Sequence, residues 1–302
     1  MRLRDKRQVL AVLAGIPLLG LAFLSSGCGN GGGGTDAFTI VSSISVDGGA
    51  NEADEARGIA LDEDGNLYAT GYVTMNGNRN IWLAKYDANL ILQESIVVDG
   101  PANGEDVGYV IALDGRGYVY VVGYMTETGE GHNIWLAKYD TDLILQKQIT
   151  VNGSANDTDE GYGILFDGSG TLYVTGTLTE PGEGYNIWIA KYDMDLNPLE
   201  SVTLNGPVDG EDTAYTIALD ATGNLYQTGV YTEATGGSNI WVARYSTDLS
   251  LQSYTTVNGS ADGYDTGLGI IRGIGQDLYV SASIDEVAGG VNIWLARYKV
   301  WP

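Results

Sequence analysis

Five aspartates occupy the same place in a segment of chain that repeats, and carboxylates in register can bind a cation or fix a loop. They are Asp54, Asp106, Asp159, Asp212 and Asp265. Hard cations such as Ca²⁺ prefer several oxygen ligands, so a ring of five carboxylates predicts a calcium site. An aspartate in a loop also accepts hydrogen bonds from nearby backbone N–H groups. Loop capping is the simpler interpretation, and the calcium site is the alternative that the spacing leaves open.

Two positions close to these aspartates differ between the copies of the segment, which makes them candidates for ligand binding. The first position is occupied in turn by Arg57, Tyr109, Tyr162, Tyr215 and Leu268, and the second by Arg79, His132, Tyr185, Ser238 and Val291. We take the two arginines, the four tyrosines and His132 as the candidates. Arginine recognises carboxylates through a planar fork of donors. Local salt bridges are the simpler interpretation of Arg57 and Arg79.

The side chains that usually carry catalysis are scarce in this sequence. There is no G-x-S-x-G motif, His132 is the only histidine and Cys28 is the only cysteine. Two carboxylates in unequal environments suffice for glycoside hydrolysis, but the acids here recur from copy to copy in equal positions. The sequence therefore predicts no catalytic residues and a non-enzymatic protein, with a glycan-active hydrolase as the weaker alternative.

The candidate residues lie in a unit that returns with a period of 53 residues, as its tryptophans show. These are Trp82, Trp135, Trp188, Trp241 and Trp294. In the first unit, residues 58–62, 67–73, 80–87 and 90–98 are apolar runs bounded by glycine, asparagine and aspartate. Such runs are typical of short strands joined by tight turns. Each unit is therefore predicted to contain four antiparallel strands.

The third strand of each unit has apolar side chains on both faces, so it must be covered on both faces. Four-stranded sheets stacked around an axis meet this demand, and that arrangement is the β-propeller, which usually has four to eight blades. Residues 38–48 match the fourth strand, and the last unit stops after its third strand. We therefore predict an all-β, five-bladed β-propeller with its ring closed by the N-terminal strand, which completes the last blade. An open solenoid is the alternative.

A resemblance to a known family supports the same fold. The pattern G-I-A-L-D-x-x-G-N-L-Y-x-T-G, seen in residues 58–62 with 65–71 and again in residues 218–229, resembles the bacterial β-propeller repeats called SBBP. The resemblance extends over all five units, and it implies a propeller fold without implying an activity. The fifth copy departs from the pattern, with Gly273 in place of the aspartate and Ser281-Ala282 in place of Thr-Gly.

The N-terminal residues indicate export and a lipid anchor. Four basic residues precede a 16-residue apolar run, residues 9–24, which is short for a membrane span. Small residues then precede Cys28, in a pattern that resembles the lipobox of bacterial lipoproteins. We predict a signal peptide over residues 1–27, lipidation at Cys28, a glycine-rich tether over 28–35 and the propeller over 36–302. A plain secretory signal and an uncleaved anchor are the alternatives.

The charge of the chain narrows the class of partner. Its formal net charge is −24, which argues against nucleic acid because phosphate binding needs basic patches. Cations and basic partners remain open. The acids concentrate near the candidate residues, in the loops that carry Glu105, Glu127, Glu130, Glu160, Glu180, Glu183, Glu211, Glu233 and Glu286.

These observations predict a monomeric binding module, lipid-anchored in the cell envelope at the outer membrane or cell surface. It would present an acidic loop face to an unidentified protein, glycan or cation. A purely structural surface lipoprotein is the alternative.

One further prediction concerns the basic residue three places after each tryptophan, such as Lys85, Lys138 and Lys191. We predict that it forms an ion pair with the aspartate at the first turn of a unit, such as Asp62 or Asp167.

Overall fold

The structure is a computed structural model that describes residues 40–49, 52–220, 222–235, 237–273 and 277–299. Within these ranges every regular element is a β-strand. None of the described residues forms a helix with the length and apolar character needed to cross a bilayer. Cys28, the predicted signal peptide and the predicted tether lie outside the described residues.

The strands form five antiparallel sheets that follow one another along the chain, and in each sheet the spatial order is the sequence order. The first sheet contains β1 (Glu55–Leu61), β2 (Leu67–Met75), β3 (Asn78–Tyr86) and β4 (Leu92–Val98). The second contains β5 (Val107–Leu113), β6 (Tyr118–Glu127), β7 (Gly131–Asp140) and β8 (Leu145–Val151). The third contains β9 (Glu160–Phe166), β10 (Thr171–Glu180), β11 (Gly184–Asp193) and β12 (Pro198–Leu204).

In the third sheet the short β13 (Gly210–Glu211) also pairs with β11 in parallel. The fourth sheet contains β14 (Thr213–Leu219), β15 (Leu225–Thr232), β16 (Ser238–Tyr245) and β17 (Leu251–Val257). The fifth contains β18 (Thr266–Arg272), β19 (Asp277–Glu286) and β20 (Gly290–Lys299). We call the end of each sheet that carries the link to the next sheet the loop end. The opposite end, with turns such as 62–66 and 87–91, is the turn end.

The core lies between successive sheets, as the apolar pattern of the third strands predicts. Trp135 of the second sheet is fully buried together with Tyr68, Ile81 and Leu83 of the first sheet. Trp188 and Trp241 occupy the corresponding places between later sheets. Burial of large aromatic and branched side chains is the main source of stability in such an interface. The recurring tryptophans are therefore packing residues.

A β-bulge in the first strand of every sheet explains the glycine in the second strand. The pairing register shifts between Gly108 and Val110, and at the corresponding places of the other four sheets. The bulge brings the carbonyl oxygen of Val107 so close to Gly123 that a Cβ atom at position 123 would overlap it. Gly71, Gly176 and Gly229 face the same contact. This close approach accounts for the glycine of the repeated Thr-Gly pair.

The predicted ion pairs with the first-turn aspartates are wrong. The Nζ atom of Lys85 donates to the carbonyl oxygen of Thr141 at 2.8 Å, and Lys138 pairs with Asp195 at 2.9 Å, both in the next sheet. Asp62 instead accepts hydrogen bonds from backbone N–H groups of its own turn. Each lysine therefore bridges two sheets, because its long side chain reaches the turn between the third and fourth strands of the following sheet.

The two ends of the array differ from the prediction of a closed ring. Described residues 40–48 form no strand, and Val46 packs against Ala69, Val73 and Trp82 of the first sheet. The fifth sheet has three described strands. The predicted pairing of residues 38–48 with β20, which would give this sheet a fourth strand, does not occur among the described residues. The structure therefore has five sheets of propeller type, and it does not show a closed ring.

Candidate functional site

The five aspartates all turn their carboxylates back into their own loops. Asp159 is fully buried, and its two oxygens accept hydrogen bonds from the N–H groups of Gly153 and Thr179 at 2.5 and 2.6 Å. The same pair of bonds, between 2.5 and 2.7 Å, is made by Asp54, Asp106, Asp212 and Asp265. Four of these carboxylates join the end of one sheet's outer strand to the second strand of the next sheet, whereas Asp54 joins Gly48, which lies in no strand, to β2.

The environment of these carboxylates favours capping over cation binding. Both oxygens of each aspartate already have N–H donors, and no three acids, histidines or cysteines among the described residues come together in a way that could hold a metal ion. Burial raises the pKa of Asp106 to about 7 and that of Asp159 to about 6, although the N–H bonds work in the opposite direction. The arrangement supports loop capping, and the calcium site remains a prediction from the sequence.

The bulges bring four of the seven candidate ligand-binding residues together in one line. We call Arg57, Tyr109, Tyr162 and Tyr215 the bulge row, because each is the extra residue of a bulge. The rings of Tyr109 and Tyr162 stack with centroids 5.3 Å apart, and those of Tyr162 and Tyr215 are 5.0 Å apart. The Arg57 guanidinium lies 5.5 Å from the Tyr109 ring centroid. Bulges commonly re-aim side chains in this way beside functional sites.

A single carboxylate, Glu160, lies under the bulge row. It accepts hydrogen bonds from the hydroxyls of Tyr109 at 3.0 Å and Tyr162 at 2.6 Å, and His132 Nδ1 is 3.4 Å away. Burial raises the pKa of Glu160, but the bonds from His132 and the two tyrosines outweigh it, so the pKa lies below its usual range. Burial also raises the pKa values of Tyr109 and Tyr162. The cluster therefore holds a stable negative charge among neutral aromatic rings.

His132 and Tyr124 extend this cluster on one side. Their rings stack with centroids 4.2 Å apart, and Tyr124 also meets Tyr109 edge to face at 5.6 Å. Tyr124 is buried, whereas His132 and Tyr109 are half-buried. The structure therefore brings His132 into contact with the bulge row through Tyr124 and Glu160.

The two arginines form local ion pairs, as the simpler interpretation predicts. Arg57 pairs with Glu55 at 3.0 Å, and Arg79 pairs with Glu105 at 3.1 Å while its guanidinium lies 4.7 Å from the centroid of the Tyr72 ring. Both pairs are substantially exposed, so each contributes little to stability. Arg57 belongs to the bulge row. Arg79 reaches the row through Tyr72, which packs with Tyr109 and donates a hydrogen bond to Glu55, the partner of Arg57.

Tyr185, the last of the seven candidates, lines a separate acidic cleft of ≈ 360 Å³ at the loop end of the third sheet. Its other walls include Asp157, Glu183, Asp209 and Glu211. Glu211 also faces Tyr264, which in turn contacts Tyr215 of the bulge row. Four carboxylates around one opening create a negative potential that attracts cations and basic groups. We call this opening the acidic cleft.

The sequence placed Glu160 among the acids of the loop face, but it did not indicate that two tyrosines and His132 contact this carboxylate. It did not indicate Tyr124 as a member of the cluster. One signal was available for Glu160. It directly follows the capping Asp159, whereas the second, fourth and fifth copies have Val107, Thr213 and Thr266 at that position. Tyr124 gave no such signal, because it lies in an apolar strand whose pattern indicates core packing.

The fold and the bulges define a propeller-type repeat protein. Residues 48–72 match the family model described as a beta-propeller repeat, SBBP. The resemblance to SBBP repeats that the sequence shows is thus confirmed by this match. A comparison with curated protein sequences finds no match.

Several solved structures align with this chain at low similarity. A subtype N11 neuraminidase-like protein of A/flat-faced bat/Peru/033/2010 aligns over 83% of this chain and 88% of its own, with 8% identity and a TM-score of 0.44. A GH43 endo-arabinanase from Bacillus licheniformis aligns over 81% and 93%, with 12% identity and a TM-score of 0.40. Drosophila Semaphorin 1b, extracellular domains 1-2, aligns over 82% of this chain and 52% of its own, with 13% identity and a TM-score of 0.48.

Proposed function

We propose that the chain is an exported, lipid-anchored, non-enzymatic binding module whose loop end takes a basic partner. The observation that carries this proposal is the bulge row over Glu160. Aromatic rings around a carboxylate that is ionised at neutral pH favour a cationic group, since the ring faces and the carboxylate both attract positive charge. The contact of the Arg57 guanidinium with Tyr109 is a case of the same chemistry within the chain.

The acidic cleft supports the proposal independently. It lies at the same end of the sheets, and its carboxylates Asp209 and Glu211 form no ion pair with another residue of the described ranges. A basic segment that enters the cleft would reach the bulge row through Tyr264 and Tyr215. Electrostatic attraction of this kind raises the rate of association and weakens as salt screens the charges.

The ionised state of Glu160, the carboxylate that contacts the bulge row, supports the proposed absence of catalysis. Asp106 and Asp159 have raised pKa values, but backbone N–H groups of the loops already bind both oxygens of each carboxylate. An acid catalyst at neutral pH needs a raised pKa, so that it keeps a proton to donate. Glu160 has a lowered pKa and already accepts bonds from two tyrosine hydroxyls. A glycan hydrolase remains the alternative class, and a structural surface lipoprotein that binds nothing is the runner-up.

The experiment is a calorimetric titration of the full chain with a short lysine- and arginine-rich peptide, carried out at low and at physiological salt. We expect saturable binding that weakens with salt. The double variant Asp209→Asn with Glu211→Gln should bind at least several-fold more weakly, and Glu94→Gln, an exposed acid on the outer strand β4, should bind as the parent does. Binding that Glu94→Gln reduces equally would indicate unspecific attraction and contradict the proposal. No binding would favour the structural lipoprotein, and turnover on a glycan panel would favour the hydrolase.

The proposal also includes the anchor and the ring. Lipidation of Cys28 would hold the module at a membrane. The test is whether the full chain partitions into a detergent phase and whether Cys28→Ser abolishes this partition.

We further propose that the five sheets form a closed ring with residues 38–48 as the outer strand of the fifth sheet. Its support is the bond from Gly48 N–H to Asp54, which repeats the link that every outer strand makes to the next sheet.

A further inference from the structure

In four of the five sheets, the asparagine before the Ile-Trp pair has a buried Oδ1 atom that accepts no hydrogen bond from the described residues. Asn133 and Asn186, in the second and third sheets, are each 1% exposed. Their Nδ2 atoms donate to Glu130 and Glu183, each at 2.8 Å, and this bond fixes which end of each amide is the oxygen. A buried acceptor without a donor is uncommon in folded proteins, and a water or an ion usually accounts for it.

A second asparagine with the same property lies opposite each of these residues. The pairing of β7 with β8 extends to the residues next to Asn133 and Asn152, so these two asparagines face each other. The third sheet repeats the arrangement with Asn186 and Asn205. The Oδ1 atoms of Asn152 and Asn205 are also buried, and no described residue donates to them. Directly opposite residues have Cβ atoms about 5 Å apart on one face of the sheet, so both oxygens can reach one small ligand.

The chemistry of these groups suits a hard cation. Each place has two amide oxygens, and the carboxylate of Glu130 or Glu183 lies against one of the amides. Ca²⁺ takes about six to eight oxygen ligands from carboxylates, side-chain amides and water. A water molecule could also donate to both amides, and the charge distinguishes the two ligands. Neither glutamate forms an ion pair within the described ranges, and a cation would supply the opposite charge.

The other copies show which part of this arrangement varies. In the first sheet Asp99 takes the place of Asn152, and it lies opposite Asn80, whose Oδ1 atom also has no donor among the described residues. In the fourth sheet Asn239 has such an atom, and its Nδ2 donates to Glu233 at 3.0 Å. The outer strand thus presents either an amide or a carboxylate oxygen at this place. A cation accepts both as ligands, whereas two acceptors that face each other without a cation repel.

We propose that two asparagine pairs each bind a hard divalent cation of the Ca²⁺ class: Asn133 with Asn152, and Asn186 with Asn205. These sites differ from the five capping aspartates, because each uses amide oxygens and a single nearby carboxylate. The ion joins the start of the third strand to the end of the outer strand. It also stabilises the link to the next sheet, since Asn152 directly precedes Gly153, whose N–H binds Asp159. The sites do not depend on the proposed basic partner.

A calcium titration of the full chain is the first test. After treatment with a chelator, the chain should gain roughly 5 °C in Tm at millimolar Ca²⁺, because an ion that binds only the folded state stabilises it. Mg²⁺ at the same concentration should raise Tm less, since it demands a smaller and more regular ligand shell. An unchanged Tm would overturn the proposal. An equal rise with Mg²⁺ would show general screening of the negative charge and would also overturn it.

A gain of affinity is the sharper test. The double variant Asn152→Asp with Asn205→Asp gives both sites the carboxylate that the first sheet has at Asp99, and its Ca²⁺ affinity by calorimetry should rise roughly 10-fold. The control pair Asn89→Asp with Gln93→Glu adds the same charge at exposed places of the first sheet and should leave the affinity unchanged.

The outcomes of this test separate the alternatives. If the pairs hold water, the variant Asn152→Asp with Asn205→Asp loses stability and gains no affinity for Ca²⁺, which refutes the proposal. A gain of the same size in the control pair refutes it as well, because the ion then responds to charge alone. Titration of the same proteins with the basic peptide keeps the two proposals apart. Loss of peptide binding with Ca²⁺ binding intact would contradict the proposed function alone.

Discussion

The loop end and the turn end of each sheet both rely on aspartates that accept backbone N–H bonds, yet burial makes them behave in opposite ways. At the loop end Asp106 is fully buried, and its pKa rises to about 7. At the turn end Asp220 accepts bonds from the N–H groups of Thr222 and Asn224 and from the Asn224 side chain, and its pKa falls to about 2. Near water, hydrogen bonds from N–H groups therefore favour the ionised form of the carboxyl group. In the buried loops the same bonds only partly offset the cost of removing the charge from water.

Removal of a carboxylate should give the largest difference between the two ends. Asp159→Ala leaves the buried N–H groups of Gly153 and Thr179 without an acceptor, which should lower the free energy of unfolding by about 2–5 kcal/mol. Asp220→Ala exposes its turn N–H groups to water, so the loss should be about 1 kcal/mol. Urea unfolding of both variants measures this. Equal losses would show that burial does not separate the two ends.

The pH dependence of stability should have opposite signs at the two ends. Asp106 has a folded pKa above its unfolded value of about 3.9, so the folded protein holds the proton more tightly. The contribution of Asp106 is therefore full below about pH 4 and is lost as the pH rises towards 7. Asp220 has a folded pKa below the unfolded value, so its contribution is full above about pH 4 and is lost as the pH falls towards 2.

Urea midpoints measured between pH 2 and 8 check this pair. Asp106→Asn should remove a loss on the order of 4 kcal/mol between about pH 4 and 7, and Asp220→Asn should flatten the profile below about pH 4. If Asp106→Asn changed stability only below about pH 4, Asp106 would not have the raised pKa that this prediction needs.

Backbone crowding should also cost more at the loop end. Gly123→Ala places a Cβ atom against the carbonyl oxygen of Val107 in a bulge, and we expect a loss of about 1–3 kcal/mol. Gly65→Ala, in a turn-end loop with φ of 84°, would bring its Cβ only to an ordinary contact with Ala88 at 3.7 Å, so it should lose about 1 kcal/mol through the left-handed backbone alone. Thermal unfolding of the two variants compares their losses of stability. A greater loss for Gly65→Ala would contradict this prediction.

The smallest effect should come from the bridges at the turn end. Lys138→Met keeps the buried stem of the side chain but loses the bond to Asp195, which is 79% exposed. Exposed partners contribute little, so the loss should stay below about 1 kcal/mol. A loss as large as that of Asp159→Ala would mean that the bridges between sheets, and not the loop-end caps, hold the array together.

The repeat, the strand pattern and the buried tryptophans could all be predicted from sequence. Apolar alternation and turn residues reflect local physics, and five copies in one chain expose whatever each unit needs. The bulges could not be predicted, because Tyr109 continues the strand pattern while the register shift depends on how closely two backbones approach. The targets of Lys85 and Lys138 also required the structure, since they lie in the next sheet and not in the same unit.

The candidate site could be predicted only in part. Differences between copies picked out Tyr109, Tyr162 and His132, which the structure brings together around Glu160. They also picked out Arg57, which contacts the Tyr109 ring, and Arg79, which reaches the row only through Tyr72. Tyr185 lies in the acidic cleft. Variation marks positions that the scaffold leaves free, and it contains no information on which of them meet. The direction of the aspartates was likewise undetermined, because a carboxylate in a loop can face either inward or outward.

The direction in which the tryptophans pack has a consequence for the order in which the sheets fold. Trp135 lies against residues of the first sheet, and Trp188 and Trp241 pack backward in the same sense. Each sheet that emerges after another would therefore meet a surface already formed, without waiting for a later part of the chain. Contacts between neighbours in sequence also form at a low cost in chain entropy. The array is suited to assembly from the N-terminus onward, one sheet at a time.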